Sequence, residues 1–270
     1  IFQKRKLRSI GNSISNQRFA MRIDIVSIFP EMFEAVKCCG SVRRAIERKS
    51  LDLRLWDPRD STDDNYRRVD DRPYGGGPGM VMLAEPLTKT LQRMRDDGAV
   101  GKVIHLTPQG ERLEQVRIRD LANLSGLVLL AGRYEGIDER LIEQEVDEEI
   151  SIGDYVLAGG ELPAMVLVEG LVRYLPGVLG NDESVMAESF SEGLLDWPHY
   201  TRPEQFSGQA VPSVLLGGNH EAIRRWRLQQ ALGRTWERRP DLMERLVLNE
   251  EQHELLASYQ REQIDEEILS

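Results

Sequence analysis

The chain has 270 residues, a formal net charge of -10 and a hydrophobic fraction of 40%, which is enough core-forming material for one large domain or two modest ones. Net acidity argues against a protein that coats nucleic acid through a uniformly basic surface, and the longest apolar runs are strand-sized, far short of the roughly 20 residues that span a bilayer. Cys38 and Cys39 are adjacent, have no metal-ligand spacing, and read as ordinary thiols of a reducing compartment.

Residues 1–20 carry Lys4, Arg5, Lys6, Arg8 and Arg18 with no acid. A transit segment has this composition, and so does read-through ahead of a start at Met21. The second reading is preferred because folded-domain patterning begins abruptly at Arg22, and residues 1–20 are left out of the expected fold. Residues 23–29 then alternate as a strand, and Pro30 opens a helix carrying Met32, Phe33 and Val36. A second helical piece over 41–49 leads into Leu51, Leu53 and Leu55, a period-two strand. Strand, helix, strand is the start of an α/β layer with a parallel sheet.

Between residues 57 and 79 the periodicity stops, and the segment is polar, arginine-bearing and glycine-rich. A run of this length is expected to be a lid, a binding loop or a mobile surface loop. No Gly-Lys-Ser/Thr follows its glycines, so it is not a nucleotide-hydrolase P-loop. Periodicity resumes with a helix over 85–97, with Leu87, Leu91 and Met94 on one face, then a strand over 102–106 ending in the sequence TPQG. Residues 111–124 read as a helix and 127–131 as a fully buried strand. The following GRYEG lacks the G-x-G-x-x-G spacing of a dinucleotide site.

A charged helix over 137–146 and a short strand over 149–152 lead to SIGDYVLAGGELPAM at 151–165, where Gly153, Gly159 and Gly160 precede a largely apolar helix over 162–175. Glycine pairs alone mark turns. Here, however, three successive strand ends, at Thr107, Gly132 and Ile152, finish in glycine- or proline-bearing loops, and open α/β sheets bind ligands at the carboxyl ends of their strands. One shared pocket is expected.

Residues 176–197 lack a sustained period and read as a linker bearing Asp182, Glu183 and Glu188. Beyond it the chain becomes helical and arginine-rich. Asn219 can cap a helix running to about Gly233, with Arg224, Arg227 and Arg234 on one side. A helix opened by Pro240 and another capped by Asn249, with Gln252 placed for a capping box, complete a small helical domain. Although the total charge is acidic, arginines gathered at 224–239 around Trp226 and Trp236 can form a local nucleic-acid face.

Taken together, SIFPEMF at 27–33, VDDRPYGGGPGM at 69–80, LTPQG at 106–110 and GRYEGIDER at 132–140 resemble one family, as do SIGDYVLAGGELPAM at 151–165, GLLDWPHYTRP at 193–203 and GNHEAIRRWRLQQALGRTW at 218–236. This is the bacterial tRNA (guanine-N1)-methyltransferase family, which methylates the guanine immediately 3′ of the anticodon with S-adenosylmethionine. The resemblance runs from Met21 almost to the C-terminus. It implies a SPOUT-type α/β domain over 21–179 whose parallel sheet ends in a deep C-terminal trefoil knot, a linker over 180–197, and a helical tRNA-binding domain over 198–270. It further implies a cytoplasmic homodimer with its sites at the subunit interface.

On this resemblance the cofactor is held by Pro108, Gly132, Tyr134, Glu135, Ile152, Gly153, Asp154, Tyr155, Val156, Leu157, Gly159 and Gly160. Contact with tRNA falls to Gly79, Arg224, Arg225 and Arg227. Glu188 is placed as the base for the guanine N1 proton, where the family usually has aspartate, and Arg173 as the cation facing O6. Asp182 and Glu183 are rival bases. Methyl transfer from a sulfonium needs no metal at the reacting carbon, and a divalent-ion dependence stays open at this level. A knotted methyltransferase acting on a ribose hydroxyl and a non-catalytic RNA-binding relative are the competing readings. DDRPYGGGPGM with the RRWR helix speaks against the first, and the intact IGDYVLAGG speaks against the second.

Overall fold

The computed structural model describes residues 21–179, 188–190 and 192–269. Residues 1–20 and the acids Asp182 and Glu183 lie outside the described residues. The chain divides into two compact units, Ile1–Leu179 and Gly180–Ser270.

Five strands build the sheet of the first unit: β1 (Met21–Val26), β2 (Leu51–Trp56), β5 (Lys102–Arg112), β6 (Gly126–Leu130) and β7 (Glu148–Ser151). They lie in the order β2-β1-β6-β5-β7 with every pairing parallel. Side chains alternate between the faces of a strand, and here both faces are apolar. Ile23, Ile25, Leu127 and Leu129 share one core with α2 (Gly40–Glu47), α4 (Gln115–Ala122) and α6 (Glu161–Val172). Val26, Val128 and Leu130 share the other with α3 (Ala84–Asp96) and α5 (Glu139–Glu145). The result is a sheet covered by helices on both sides, which explains why residues 127–130 form an unbroken apolar run. Asp24, fully buried on β1, is satisfied by Arg22 Nε at 2.6 Å and by Trp56 Nε1 at 2.8 Å.

Several boundaries differ from the sequence reading. Pro30–Phe33 is a 3-10 turn that only then becomes the α-helix α1 (Glu34–Lys37). The stretch 57–79 is not devoid of structure. Pro58–Ser61 forms a 3-10 turn held to α3 by Thr90 Oγ1 donating to Ser61 Oγ at 2.9 Å, and β3 (Asp70–Asp71) pairs antiparallel with β4 (Val81–Met82). The largest difference is at β5, which continues to Arg112 where a helix was expected from Glu111. Leu106 and Glu111 both pair with Ile150, so Thr107–Gly110 leaves the ladder as a bulge and the chain returns to the same edge of β7. Gly110 makes this return possible, since a Cβ there would lie 2.3 Å from the Glu149 carbonyl carbon.

In the second unit, a two-stranded ribbon of β8 (Gln205–Phe206) and β9 (Gln209–Ala210) precedes α7 (His220–Arg238), α8 (Pro240–Met243) and α9 (Glu250–Leu269). Asn219 caps α7, its side chain accepting from the Ala222 N–H at 3.2 Å. Asn249 and Gln252 form the reciprocal capping box at α9, each side chain accepting from the other's backbone N–H at 2.9 Å. Gly233 does not end α7. The helix passes through it because the Tyr259 ring of α9 occupies the space of a side chain, 2.5 Å from an ideal Cβ. Leu194, Ala231, Leu232 and Leu255 form the core of this unit. Among the described residues no helix is long and apolar enough to cross a membrane.

Candidate active site

The carboxyl ends of β6, β5 and β7, three neighbours in the sheet, open onto one cavity of about 370 Å3. Eleven of the twelve residues expected to hold the cofactor line it: Pro108 from the β5 bulge; Gly132, Tyr134 and Glu135 after β6; and Ile152, Gly153, Tyr155, Val156, Leu157, Gly159 and Gly160 after β7. Asp154, exposed, is not among the lining residues. The loops interlock through their backbones. Gly160 N–H donates to Gly132 C=O at 2.8 Å, and Arg133 forms a bridge with Gly159. A Cβ on Gly160 would lie 2.7 Å from Ala131 Cα, and one on Gly159 would lie 2.3 Å from Arg133 Nε. These glycines are therefore dictated by close approach of main chain to main chain and to Arg133. Gly153 has φ +146, a conformation L side chains rarely adopt.

A buried polar cluster holds the loops against the sheet. Glu161, the first residue of α6, is fully buried, accepting from Ser27 Oγ at the end of β1 and from Arg133 Nε, each at 2.8 Å. Arg133 also lies over the Phe29 ring at 4.6 Å. One carboxylate thus joins the segments after β1, after β6 and before α6. Sequence reasoning passed over it because an acid in the first turn of a helix ordinarily faces solvent and the macrodipole. Its place within a glycine-rich stretch was the available signal.

His105 and Glu149 line the cavity and were also not singled out. They stand opposite each other on β5 and β7, with Nδ1 3.0 Å from Oε1. Burial holds the His105 imidazole below its ordinary value, with Glu149 pulling the other way. The phenol of Tyr134, at φ +62, is pushed up by burial and by the neighbouring Asp70 carboxylate. Gly79, expected at the tRNA, abuts Glu135: its φ is +83 and a Cβ would lie 2.3 Å from Glu135 Oε1. Glu135 N–H donates to Met80 C=O at 3.0 Å, so the far end of the 57–79 segment is tied to the cavity wall.

Arg173 is the half-buried residue that closes α6. Glu188, in the second unit, is half-buried as well. The arginines of α7 divide by partner. Arg224 is paired with Glu221 at 2.7 Å and with Glu251 at 2.5 Å, which together hold its guanidinium well above the ordinary value, and Arg225 is paired with Glu251 at 2.8 Å. Arg227 lies over the Trp197 ring at 5.1 Å.

Comparison with known proteins adds the family. A family model described as tRNA (Guanine-1)-methyltransferase TrmD matches residues 21–245. The chain is similar to a protein of Stutzerimonas stutzeri named tRNA (guanine-N(1)-)-methyltransferase, 56% identical over 246 residues, or 91% of this chain and 98% of that one. A protein of the same name from Pseudomonas paraeruginosa is 58% identical over 245 residues, covering 90% of this chain and 97% of the relative. Another of that name from Chromobacterium violaceum is 56% identical over 248 residues, covering 90% and 97%. Matches of this identity over nearly the whole of both chains leave one conclusion: the chain belongs to the tRNA (guanine-1)-methyltransferase family.

Proposed function

We propose that this protein transfers the methyl group of S-adenosylmethionine to N1 of guanine 37, immediately 3′ of the anticodon of tRNA. The observation that carries the reading is the glycine-walled cavity at the ends of β6, β5 and β7 in a chain of this family. Its volume of about 370 Å3 falls in the range of small-molecule sites. Gly160, where a Cβ would strike the main chain of Ala131, and Gly132, where one would crowd the His105 ring at 3.1 Å, leave backbone amides and carbonyls accessible to a ligand. These features fit the methyl donor. Pro108, Gly132, Tyr134, Glu135, Ile152, Gly153, Tyr155, Val156, Leu157, Gly159 and Gly160 are the residues that would hold it.

When bound, S-adenosylmethionine supplies an electrophilic methyl carbon on a sulfonium that departs as a neutral thioether. The chain's own work is to align the guanine and manage one proton. N1 of neutral guanine carries a hydrogen, so a carboxylate must accept it as the N–C bond forms, and Glu188 is assigned this role. Negative charge then develops on O6, and Arg173 is assigned to stabilise it. We read the passage of residues 152–160 beside the end of β6, with the Gly160 to Gly132 bond, as part of a trefoil knot. Leu162 and Val166, one turn apart on α6 and each about half exposed, and the exposed Val156 of the preceding loop are apolar side chains suited to a homodimer interface. Residues 21–179 together with Glu188 of the linker are assigned catalysis and residues 198–270 tRNA binding, and a tRNA substrate fits a cytoplasmic place of action.

The test is radiolabelled methyl transfer to unmodified tRNA transcripts carrying guanine or adenine at position 37. Label on the guanine transcript alone supports the proposal, and label on both or on neither refutes it. Glu188→Gln should leave S-adenosylmethionine binding near normal while single-turnover methylation falls by about 10²-fold or more. A retained rate would move the base to Asp182 or Glu183.

A further inference from the structure

The second unit contains a wide cleft of about 1050 Å3 with Trp197, His199, Tyr200, Arg202, Trp226 and Arg227 in its lining. Two aromatic pairs shape it. The Tyr200 and Trp226 ring centroids are 6.3 Å apart at 52°, and those of Trp197 and His199 are 5.7 Å apart at 51°. Tyr200 is about half exposed although its ring packs on a neighbour, so part of its surface stays accessible to a ligand.

The cations around these rings differ from those on the rest of α7. Arg224 and Arg225 spend their charge on Glu221 and Glu251. Arg227, one turn further along and turned into the cleft, stacks on Trp197 instead. Arg202 lines the same cleft, and among the described residues no carboxylate is paired with it. An aromatic ring face bordered by guanidinium groups is complementary to a nucleotide whose base is unstacked. Base–aromatic stacking requires only a π-face, and the adjoining phosphate needs a cation. A purely apolar partner would leave Arg202 and Glu204 of the lining desolvated without compensation.

We propose that this cleft is a stacking site for one unpaired nucleotide of the tRNA, with the base on the Tyr200–Trp226 pair and its phosphate against Arg227. The proposal takes its ligand from the tRNA methyltransferase reading, and goes beyond it in moving recognition away from Arg224 and Arg225 into this cleft.

Full-length wild-type protein and Tyr200→Ala, Tyr200→Phe and Arg227→Ala are titrated with unmodified tRNA transcript at several salt concentrations. S-adenosylmethionine binding and sedimentation are measured on the same samples. Tyr200→Ala should raise the tRNA Kd about tenfold, the size of one lost base stack, with the salt slope unchanged. Tyr200→Phe, which keeps the ring face, should restore the affinity. Arg227→Ala should weaken binding and reduce the salt slope by about one. Normal S-adenosylmethionine affinity in each variant certifies a folded first unit. A 2-aminopurine placed in turn at unpaired positions of the tRNA should show a fluorescence change with the wild type that Tyr200→Ala abolishes at one position. Wild-type tRNA affinity in Tyr200→Ala overturns the proposal. So does a shift of that variant to monomer with unchanged RNA affinity, which would assign the cleft to a second copy of the chain. Failure of the wild-type protein to bind or methylate any tRNA would instead count against the methyltransferase reading itself.

Discussion

Replacing Glu161 by glutamine should loosen the whole cavity, because one carboxylate there holds three segments. Glu161 is fully buried and accepts two hydrogen bonds of 2.8 Å, from Ser27 Oγ and from Arg133 Nε. A glutamine has the same shape but one acceptor oxygen. Arg133 can only donate and so requires that oxygen, which turns the amide N–H toward Ser27 Oγ; there the hydroxyl, which accepts from Phe29 N–H at 2.9 Å, must reverse from donor to acceptor of a second bond. The guanidinium also loses its counter-charge, keeping the neutral partners Ala158 C=O at 3.3 Å, Met32 Sδ at 3.4 Å and the Phe29 ring. Breaking a fully buried ion pair costs about 3–5 kcal/mol. The Arg133 side chain is 18% exposed, so water recovers part of this and about 2–3 kcal/mol is expected. The assay is native-state hydrogen exchange at Gly160 N–H, which is bonded to Gly132 C=O at 2.8 Å, with an expected loss of protection of about 30- to 150-fold. The double variant Glu161→Gln with Arg133→Met removes the orphaned charge, and should recover more than half of the loss through coupling between the two sites. A loss below about 0.5 kcal/mol, or strictly additive effects in the double variant, would refute the reasoning.

Three further outcomes follow from the geometry. Burial lowers the His105 pKa, so below about pH 6.5 the unfolded chain binds a proton that the folded chain refuses. Stability should therefore fall as pH drops through this range and level off below the folded value, and urea midpoints of His105→Gln should lack that component. Gly160→Ala places a methyl 2.7 Å from Ala131 Cα, which is main chain and cannot rotate away. Its S-adenosylmethionine Kd should rise by about tenfold or more, or ~1.4 kcal/mol. Gly217→Ala, whose new Cβ has nothing nearer than 4.0 Å, should bind as the wild type does in the same calorimetric titration. Gly233→Ala drives a methyl into the Tyr259 ring, and the overpacking cost of about 1–3 kcal/mol should exceed the ~1 kcal/mol gained in helix propensity, lowering the melting temperature.

Much of the first unit could be read from the chain because its elements follow simple periods. Leu51, Leu53 and Leu55 alternate, residues 127–130 are uniformly apolar, and Leu87, Leu91 and Met94 recur at helical spacing, matching β2, β6 and α3. The cavity was legible for a different reason, since loops after successive parallel strands open at the same end of a sheet. What escaped was set by pairing across long distances. Nothing local reveals that Glu111 and Leu106 both face Ile150, so the TPQG bulge looked like the end of a strand and its continuation like a helix. Gly233 looked like a helix terminus because the Tyr259 ring that requires it lies 26 residues on in the sequence.

The arginines of α7 show why a charge pattern on one helix is a weak guide to what that helix binds. Read alone, Arg224, Arg225 and Arg227 form one basic patch. Glu251, from the first turn of α9, accepts from the first two, and Glu221 accepts again from Arg224. A polyanion approaching that face would have to displace carboxylates already in place, while the gain from each exposed pair it replaced would be small. Arg227 lies over an aromatic face, and among the described residues no carboxylate is paired with it, so its charge is available to a phosphate. Removing the acid should therefore reveal the difference. Glu251→Gln ought to strengthen tRNA binding and steepen its salt slope by liberating Arg224 and Arg225. If affinity and slope stayed at their wild-type values, those two arginines would lie off the RNA path altogether, and the ion pairs would be holding α7 to α9 rather than masking a binding surface.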